Sequence, residues 1–316
     1  MILVTGATGF VGNAVVLRLL NENESQHVKV VTRNYGAQWS NRVIQYAIAD
    51  LNPALNLSVA LEGVSAVIHC AARVHVMADK VANPLTEFRR VNVHATLNLA
   101  RQAAVAGVKR FVFVSSIKVN GESTRIGFPF MAGDKPEPMD AYGISKMEAE
   151  YGLCKLAEQT GMEVVIIRPP LVYGLGVKAN FAEMIRWLKR GVPLPFGAIH
   201  NQRSLVALDN LVDLIVTCIT HPAAANQTFL VSDGEDVSTT GLMRRTSHAM
   251  GQPARLIPVP TTLLILAAAL VGKQDMALRL CGSLQVDIKK TRDLLGWTPP
   301  LSLDEALKKA TEGLRV

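Results

Sequence analysis

Through the first half of the chain, short β-branched runs alternate with helical patterns, and this alternation constrains the fold more than any other feature. ILVT, VKVVT, VIQYAIA, SAVIHCA, FVFVSS and EVVIIRP read as strands. Between them, FVGNAVVLRLL, PLTEFRRVNVHATLNLARQAAVAG and DAYGISKMEAEYGLCKLAEQTG carry apolar residues at helical spacing. Strands that are apolar at nearly every position are buried on both faces, and strands separated by helices pair in parallel. The pattern predicts an α/β fold, a doubly wound parallel sheet. Past Arg168 the texture changes to Gly/Pro-punctuated loops, PPLVYGLG and GVPLPFG, around a helix NFAEMIRWLKR. Residues 1–168 are expected to form a first domain and 169–316 a smaller, mostly helical one. Part of 203–231 is expected to return to the first, and the site to lie in the cleft between the two.

The loop VTGATGFVG places Gly6, Gly9 and Gly12 between the first strand and its helix. The first glycine permits a tight turn, the second lets a pyrophosphate approach bare backbone, and the third lets helix and sheet pack closely. The helix N-terminus adds unpaired N–H groups and partial positive charge. This context makes 1–168 a dinucleotide-binding domain of Rossmann type. About 20 residues beyond the glycines a carboxylate normally binds the adenosine ribose of NAD. Here VKVVT ends on Arg33 and Asn34 with no acid nearby, and a guanidinium suits a 2′-phosphate. NADP(H) is the favoured cofactor, and NAD stays open if Arg33 is a solvated end-of-strand residue. Asp50 and Leu51, after the next strand, are candidates to meet the adenine.

The 316-residue chain is 49% hydrophobic and only 19% charged, which excludes a disordered or purely solvating role. Its net charge of +7 is spread in short pairs, which fits small phosphorylated ligands better than nucleic acid, for which no basic-aromatic motif is present. Cys70, Cys154, Cys218 and Cys281 form no CxxC pair, against a disulfide framework or a zinc site. The seven histidines form no HExxH or paired i, i+4 set. His69 and His75, flanking the end of the fourth strand, read as core or cofactor-adjacent residues, and no metal is expected. The chain opens on a strand without a basic n-region or cleavage site, which suggests a cytoplasmic protein. The longest apolar run, LLILAAALV from Leu263 to Val271, is far short of a span. It reads as a buried helix in preference to an interfacial membrane helix, so stable membrane insertion is not expected.

AYGISKMEAE holds Tyr142 and Lys146 four apart at the start of a helical pattern, hence on one face. A tyrosine of pKa about 10 is a poor acid or base at neutral pH. A nearby ammonium stabilises phenolate and is expected to lower that pKa towards the working range. Lys146 is also placed to hold a nicotinamide ribose. SSIK, at the end of a central strand, supplies Ser116 to hydrogen-bond a substrate oxygen.

These pieces together resemble the extended short-chain dehydrogenase/reductase family over nearly the whole chain. TGATGFVG, HCAA, Asn92 in VNVHATLNLA, FVFVSS, YGISK, RPPLVYG, RSLVALDNLVDLI and LGWTP carry the resemblance. Within the family the chain is most similar to nucleotide-sugar 4-epimerases and related 4-keto-sugar reductases. The resemblance implies Tyr142 as acid/base, Lys146 as its electrostatic partner and Ser116 as the substrate-orienting hydroxyl. Thr8, Phe10, Val11, Cys70, Ala71, Ala72, Asn92 and Pro169 would line the cofactor with the three glycines, and Pro170 would help frame the nicotinamide. Arg73, Asn180 and Arg203 would meet the substrate, the last two at its diphosphate. UDP-sugar epimerases usually carry an acid where Arg33 stands, and often read SSxxVYG where this chain reads SSIKVNG. Lys118 is thus a candidate substrate contact.

The leading expectation is NADPH-dependent reduction of the C4 ketone of a UDP-4-keto-(6-deoxy)-N-acetylhexosamine in surface-polysaccharide synthesis. The alternative is NAD-dependent C4 epimerisation of a UDP-hexose or UDP-N-acetylhexosamine. A non-catalytic NADP-binding sensor and a hydroxysteroid or small-aldehyde reductase are the remaining readings. A homodimer through the HATLNLARQAAVAG and YGISK helices is also expected from the family.

Overall fold

A computed structural model describes residues 1–22, 24–33, 39–74, 83–177 and 179–312. Asn34 and His75, both singled out in the sequence, lie outside the described residues. Six early strands form the main sheet: β1 (Ile2–Thr5), β2 (Val28–Thr32), β3 (Val43–Ala47), β4 (Ala66–His69), β5 (Arg110–Val114) and β6 (Glu163–Arg168). A smaller sheet holds β7 (Leu171–Tyr173), β8 (Arg203–Ala207) and β10 (Asp236–Val237), while β9 (Thr228–Leu230) pairs in parallel with β6. The main sheet is parallel in the order β3-β2-β1-β4-β5-β6-β9, so the winding reverses between β1 and β4. That reversal opens a crevice at the carboxyl ends of the strands, where ligands of such sheets bind.

Register brings the ends of these strands level. Thr5 pairs with Val31 and His69, and His69 with Phe113. The glycine loop, Arg33, Cys70 and Ser115 therefore emerge on one edge.

Helices cover both faces because both faces are apolar. On one side α1 (Phe10–Glu22) and α7 (Leu208–Thr220) bury Val15, Val16 and Leu19 with Leu211, Leu214 and Ile215. On the other, α2 (Ser58–Leu61), α4 (Thr96–Val105) and α5 (Ala141–Thr160) bury Leu61, Leu99 and Leu153 against Val67, Phe111 and Phe113. The helix expected across PLTEF to AVAG is interrupted: α3 (Pro84–Phe88) leads into a π-helical turn, Arg89–Ala95, before α4 begins. A third apolar cluster, with Tyr173, Phe181, Leu205, Leu242 and Leu307, joins the small sheet to α6 (Ala179–Lys189), α8 (Thr239–Ala249) and α12 (Leu303–Ala310).

The LLILAAALV run corrects the sequence reading. It forms α9 (Thr261–Leu270), which has no buried residue. Its main partner is the following helix α10 (Gln274–Cys281), and only the side holding Leu264, Ile265 and Ala268 is half-buried. Helices α9 and α10 form a hairpin ahead of α11 (Lys289–Leu295). An apolar run becomes core only where neighbouring elements cover it, and here one helix covers one side. Among the described residues no helix is long and apolar enough to cross a membrane.

Candidate active site

The glycine loop is built for close approach. Gly6 has φ of +69°, a left-handed conformation that only glycine adopts at no steric cost, and a Cβ there would meet the Ala71 nitrogen at 2.7 Å. A Cβ on Gly12 would fall 2.3 Å from the Gly6 carbonyl oxygen, so α1 rests directly on the turn. Thr8 and Gly9 are exposed above this turn, with Phe10 and Val11 half-buried at the start of α1. A bare turn capped by a helix N-terminus fits a pyrophosphate. Cys70, Ala71 and Ala72 stand half-buried opposite it, at the end of β4.

Asp140 starts α5 by accepting a hydrogen bond from the Gly143 N–H at 2.7 Å. One turn of helix then aligns Tyr142 and Lys146. The Lys146 ammonium is buried, donates to the Val114 carbonyl at 2.8 Å, and sits 4.4 Å from the Phe113 ring centroid and 6.0 Å from that of Tyr142. The half-buried Tyr142 hydrogen-bonds Ser116 through its side chain, and Phe88 packs against its ring edge-on at 6.0 Å. Ser116 itself turns the chain out of β5, its Oγ accepting from the Lys118 N–H at 3.2 Å. Three groups singled out in the sequence thus converge beside the sheet edge, where the carbonyl of the buried Pro169 accepts from the Ile117 N–H.

The electrostatics depart from expectation in one respect. The Tyr142 pKa is not lowered but raised, first by burial and then by the Asp140 carboxylate, with the Ser116 hydrogen bond opposing. Desolvation outweighs the Ser116 hydrogen bond, and the Lys146 ammonium, which donates to the Val114 carbonyl, stands 6.0 Å from the ring centroid. Burial likewise pushes Lys146 down to about 8, against the pull of Cys70 and Glu150. His69 is fully buried between the Thr5 and Thr96 hydroxyls, at 2.7 and 2.8 Å, and burial lowers it to about 3, so it is a neutral core residue. Burial pushes the Cys70 thiol up to about 12, which leaves it unreactive.

Other candidates fall around this centre. Asn92, buried in the π-helical turn, accepts from the Arg73 N–H, and its amide donates to the Arg73 carbonyl and the Ser145 hydroxyl. It pins the backbone at Arg73 to α5. Arg33 is exposed at the tip of β2. Asp50 accepts from Arg90 at 2.9 Å, while Leu51 is buried. The Lys118 ammonium is held by Asp140 and by Glu122. Arg203 lies apart, on β8, donating to the Arg279 and Gly282 carbonyls, and burial lowers its pKa. Asn180 is in the first turn of α6, and its side chain lies outside the described set.

Sequence reasoning passed over a network directly behind the hydroxyls. Glu150 and Arg168 form a buried two-pronged ion pair, with both side chains only 6% exposed. Ser115 also donates to Glu150, and Arg168 donates to the Asn120 amide oxygen at 3.0 Å. The available signal was a charge at each end of it: an arginine closing the apolar strand EVVIIR and a glutamate on the inward face of α5. Such a pair positions β5 and β6 against α5, and with them Ser116 and Tyr142.

A dinucleotide cradle, a serine at a strand end and a Tyr/Lys pair one turn apart define an α/β enzyme of hydride-transfer type. The chain belongs to the NAD dependent epimerase/dehydratase family, whose profile matches residues 2–232, and the resemblance to extended short-chain dehydrogenase/reductases is met. It is 51% identical to a UDP-glucose 4-epimerase of Vibrio cholerae over 98% of this chain and 94% of that one. Among solved structures it superposes on the UDP-N-acetylglucosamine 4-epimerase of Bacillus cereus with a TM-score of 0.80, at 20% identity and covering 98% and 97% of the two chains. On the UDP-glucose 4-epimerase of Thermotoga maritima the TM-score is 0.77, at 24% identity over 99% and 98%.

Proposed function

We propose that the protein is a C4 epimerase of a UDP-hexose or UDP-N-acetylhexosamine that keeps NAD bound through its cycle. The observation that carries the reading is the Tyr142–Ser116 hydroxyl pair set beside the Lys146 ammonium. The 51% identity to a UDP-glucose 4-epimerase supports the choice of reaction. When bound, the nicotinamide supplies a site that takes a hydride from sugar C4 and gives it back. Ser116 holds the C4 oxygen, and Tyr142 removes its proton and later restores it. Lys146 stabilises the phenolate that takes the proton and re-forms when the proton is returned, opposing the burial that favours the phenol. Gly6, Gly9 and Gly12, with Thr8, Phe10, Val11, Cys70, Ala71, Ala72, Asn92 and Pro169, would hold the dinucleotide. Arg73, Asn180 and Arg203 would meet the sugar nucleotide.

A second reading is favoured by Arg33. An exposed cation at the tip of β2, where NAD enzymes carry an acid, suits NADPH and a one-way 4-ketoreductase. We place the dinucleotide in 1–168 and the sugar largely in 169–316, in a cytoplasmic homodimer formed through α4 and α5, which expose Val105 and Tyr151.

Two assays separate the readings. Purified protein is incubated with UDP-glucose or UDP-N-acetylglucosamine without added nucleotide, and the cofactor released on denaturation is identified. Interconversion of C4 epimers with NAD released supports the epimerase. Stoichiometric oxidation of NADPH by a UDP-4-keto-6-deoxy sugar, with no epimer formed, supports the reductase. In either case Tyr142→Phe is expected to lower turnover by about 10²- to 10⁴-fold with cofactor content retained. Full activity in that variant removes Tyr142 from the mechanism.

A further inference from the structure

The α9–α10 hairpin carries an apolar surface that the catalytic reading does not use. Leu263, Leu266, Ala267 and Leu270 recur at i, i+3, i+4 and i+7, so they form one stripe along α9. That stripe faces solvent: Leu263 is 54% exposed, Leu266 61% and Leu270 82%. Ile257, Val271, Met276 and Leu278 extend the exposed apolar set on either side. Ordinary surface helices turn charge outward, and contiguous exposed apolar area of this kind marks an interaction site. Ten residues of helix span about 15 Å, half the hydrocarbon thickness of a bilayer of about 30 Å, so α9 cannot cross one.

The charge around the stripe selects its partner. Residues 181–203 and 252–285 are stitched into one lobe. Leu194 bridges to Leu256, the Gly197 N–H donates to the Ile257 carbonyl, and Arg203 donates to the Arg279 carbonyl. This lobe exposes six cations, Arg186, Lys189, Arg190, Arg255, Lys273 and Arg279, against two carboxylates, Glu183 and Asp275. Four of the chain's net charges of +7 are therefore gathered on this surface. Trp187, 40% exposed and packed beside Arg190, adds an aromatic ring of the kind that sits at headgroup level. A two-fold contact with a second copy would bring this basic lobe against itself, which like charges oppose. An anionic bilayer satisfies both features, apolar stripe and positive surround.

We propose that the α9–α10 hairpin docks on an anionic lipid surface. Leu263, Leu266 and Leu270 enter the headgroup–acyl boundary while the surrounding cations face lipid phosphates. The docking is interfacial and reversible, with no segment crossing the bilayer. It is independent of which reaction the active site performs.

The test is sedimentation of the full-length protein with vesicles of equal parts phosphatidylglycerol and phosphatidylcholine, and with vesicles of phosphatidylcholine alone. Wild type is expected to pellet with the anionic vesicles, to release at high salt, and to bind phosphatidylcholine far more weakly. A Leu266→Glu/Leu270→Glu variant should lose about tenfold in partitioning, and Lys273→Glu should lose several-fold on anionic vesicles only. Catalytic turnover in solution is unchanged in both variants, which shows that they are folded. No pelleting of wild type, or equal pelleting of wild type and the leucine variant, overturns the proposal. A wild-type dimer that the leucine variant converts to monomer, without vesicle binding by either, assigns the surface to a second copy instead.

Discussion

At His69 a titratable ring is placed where it cannot titrate. Buried between two threonine hydroxyls and near the Lys146 ammonium, it has a pKa lowered from 6.5 to about 3. Between those values the unfolded chain binds a proton that the folded chain refuses, so stability falls as pH falls through that window. At about pH 5 the penalty is about 2 kcal/mol from this residue alone. Denaturant unfolding of wild type and His69→Asn at neutral pH and at about pH 5 should show the variant losing about 2 kcal/mol less on acidification. Equal acid sensitivity would mean that the ring is protonated in the folded protein. The same desolvation raises the pKa of the Tyr142 phenol and lowers that of the Lys146 ammonium.

Elements place these residues through contacts that leave little room. The N-terminus of α1 lies on the Gly6 turn so closely that Gly12→Ala would put a methyl carbon 2.3 Å from a carbonyl oxygen. Helix α1 would have to lift off β1. The expected outcome is a stability loss of about 1–3 kcal/mol together with loss of co-purified dinucleotide. Thermal unfolding and cofactor content measure both, and a variant with native stability and full cofactor would show that the loop has space to spare. The loop was legible from its sequence because glycine spacing reports directly on backbone approach. The six early strands and the Tyr142/Lys146 face were legible for a similar reason, since periodicity and spacing are local. What was not legible depends on what lies opposite. Helix α9 has a core-like composition, but its outward side meets no protein among the described residues. The Glu150–Arg168 ion pair was not legible because its two ends, on α5 and β6, meet only in the fold. The ion pairs of Lys118 with Asp140 and Glu122 were not legible either, because the fold supplies both partners.

On the scale of the whole molecule, charge and apolar surface are unevenly divided. The parallel sheet gathers Ser116, Tyr142 and Lys146 at its carboxyl edge, and the later segments supply a basic lobe with an uncovered leucine stripe. The central claim is that hydrogen leaves sugar C4 and returns to the same carbon within one protein molecule. The direct measurement uses UDP-glucose carrying deuterium at C4, converted by the purified protein without added nucleotide. Retention of deuterium at C4 of the UDP-galactose formed is the result this account expects. Formation of the same product with C4 deuterium lost, or no product without an external supply of NADPH, would contradict it.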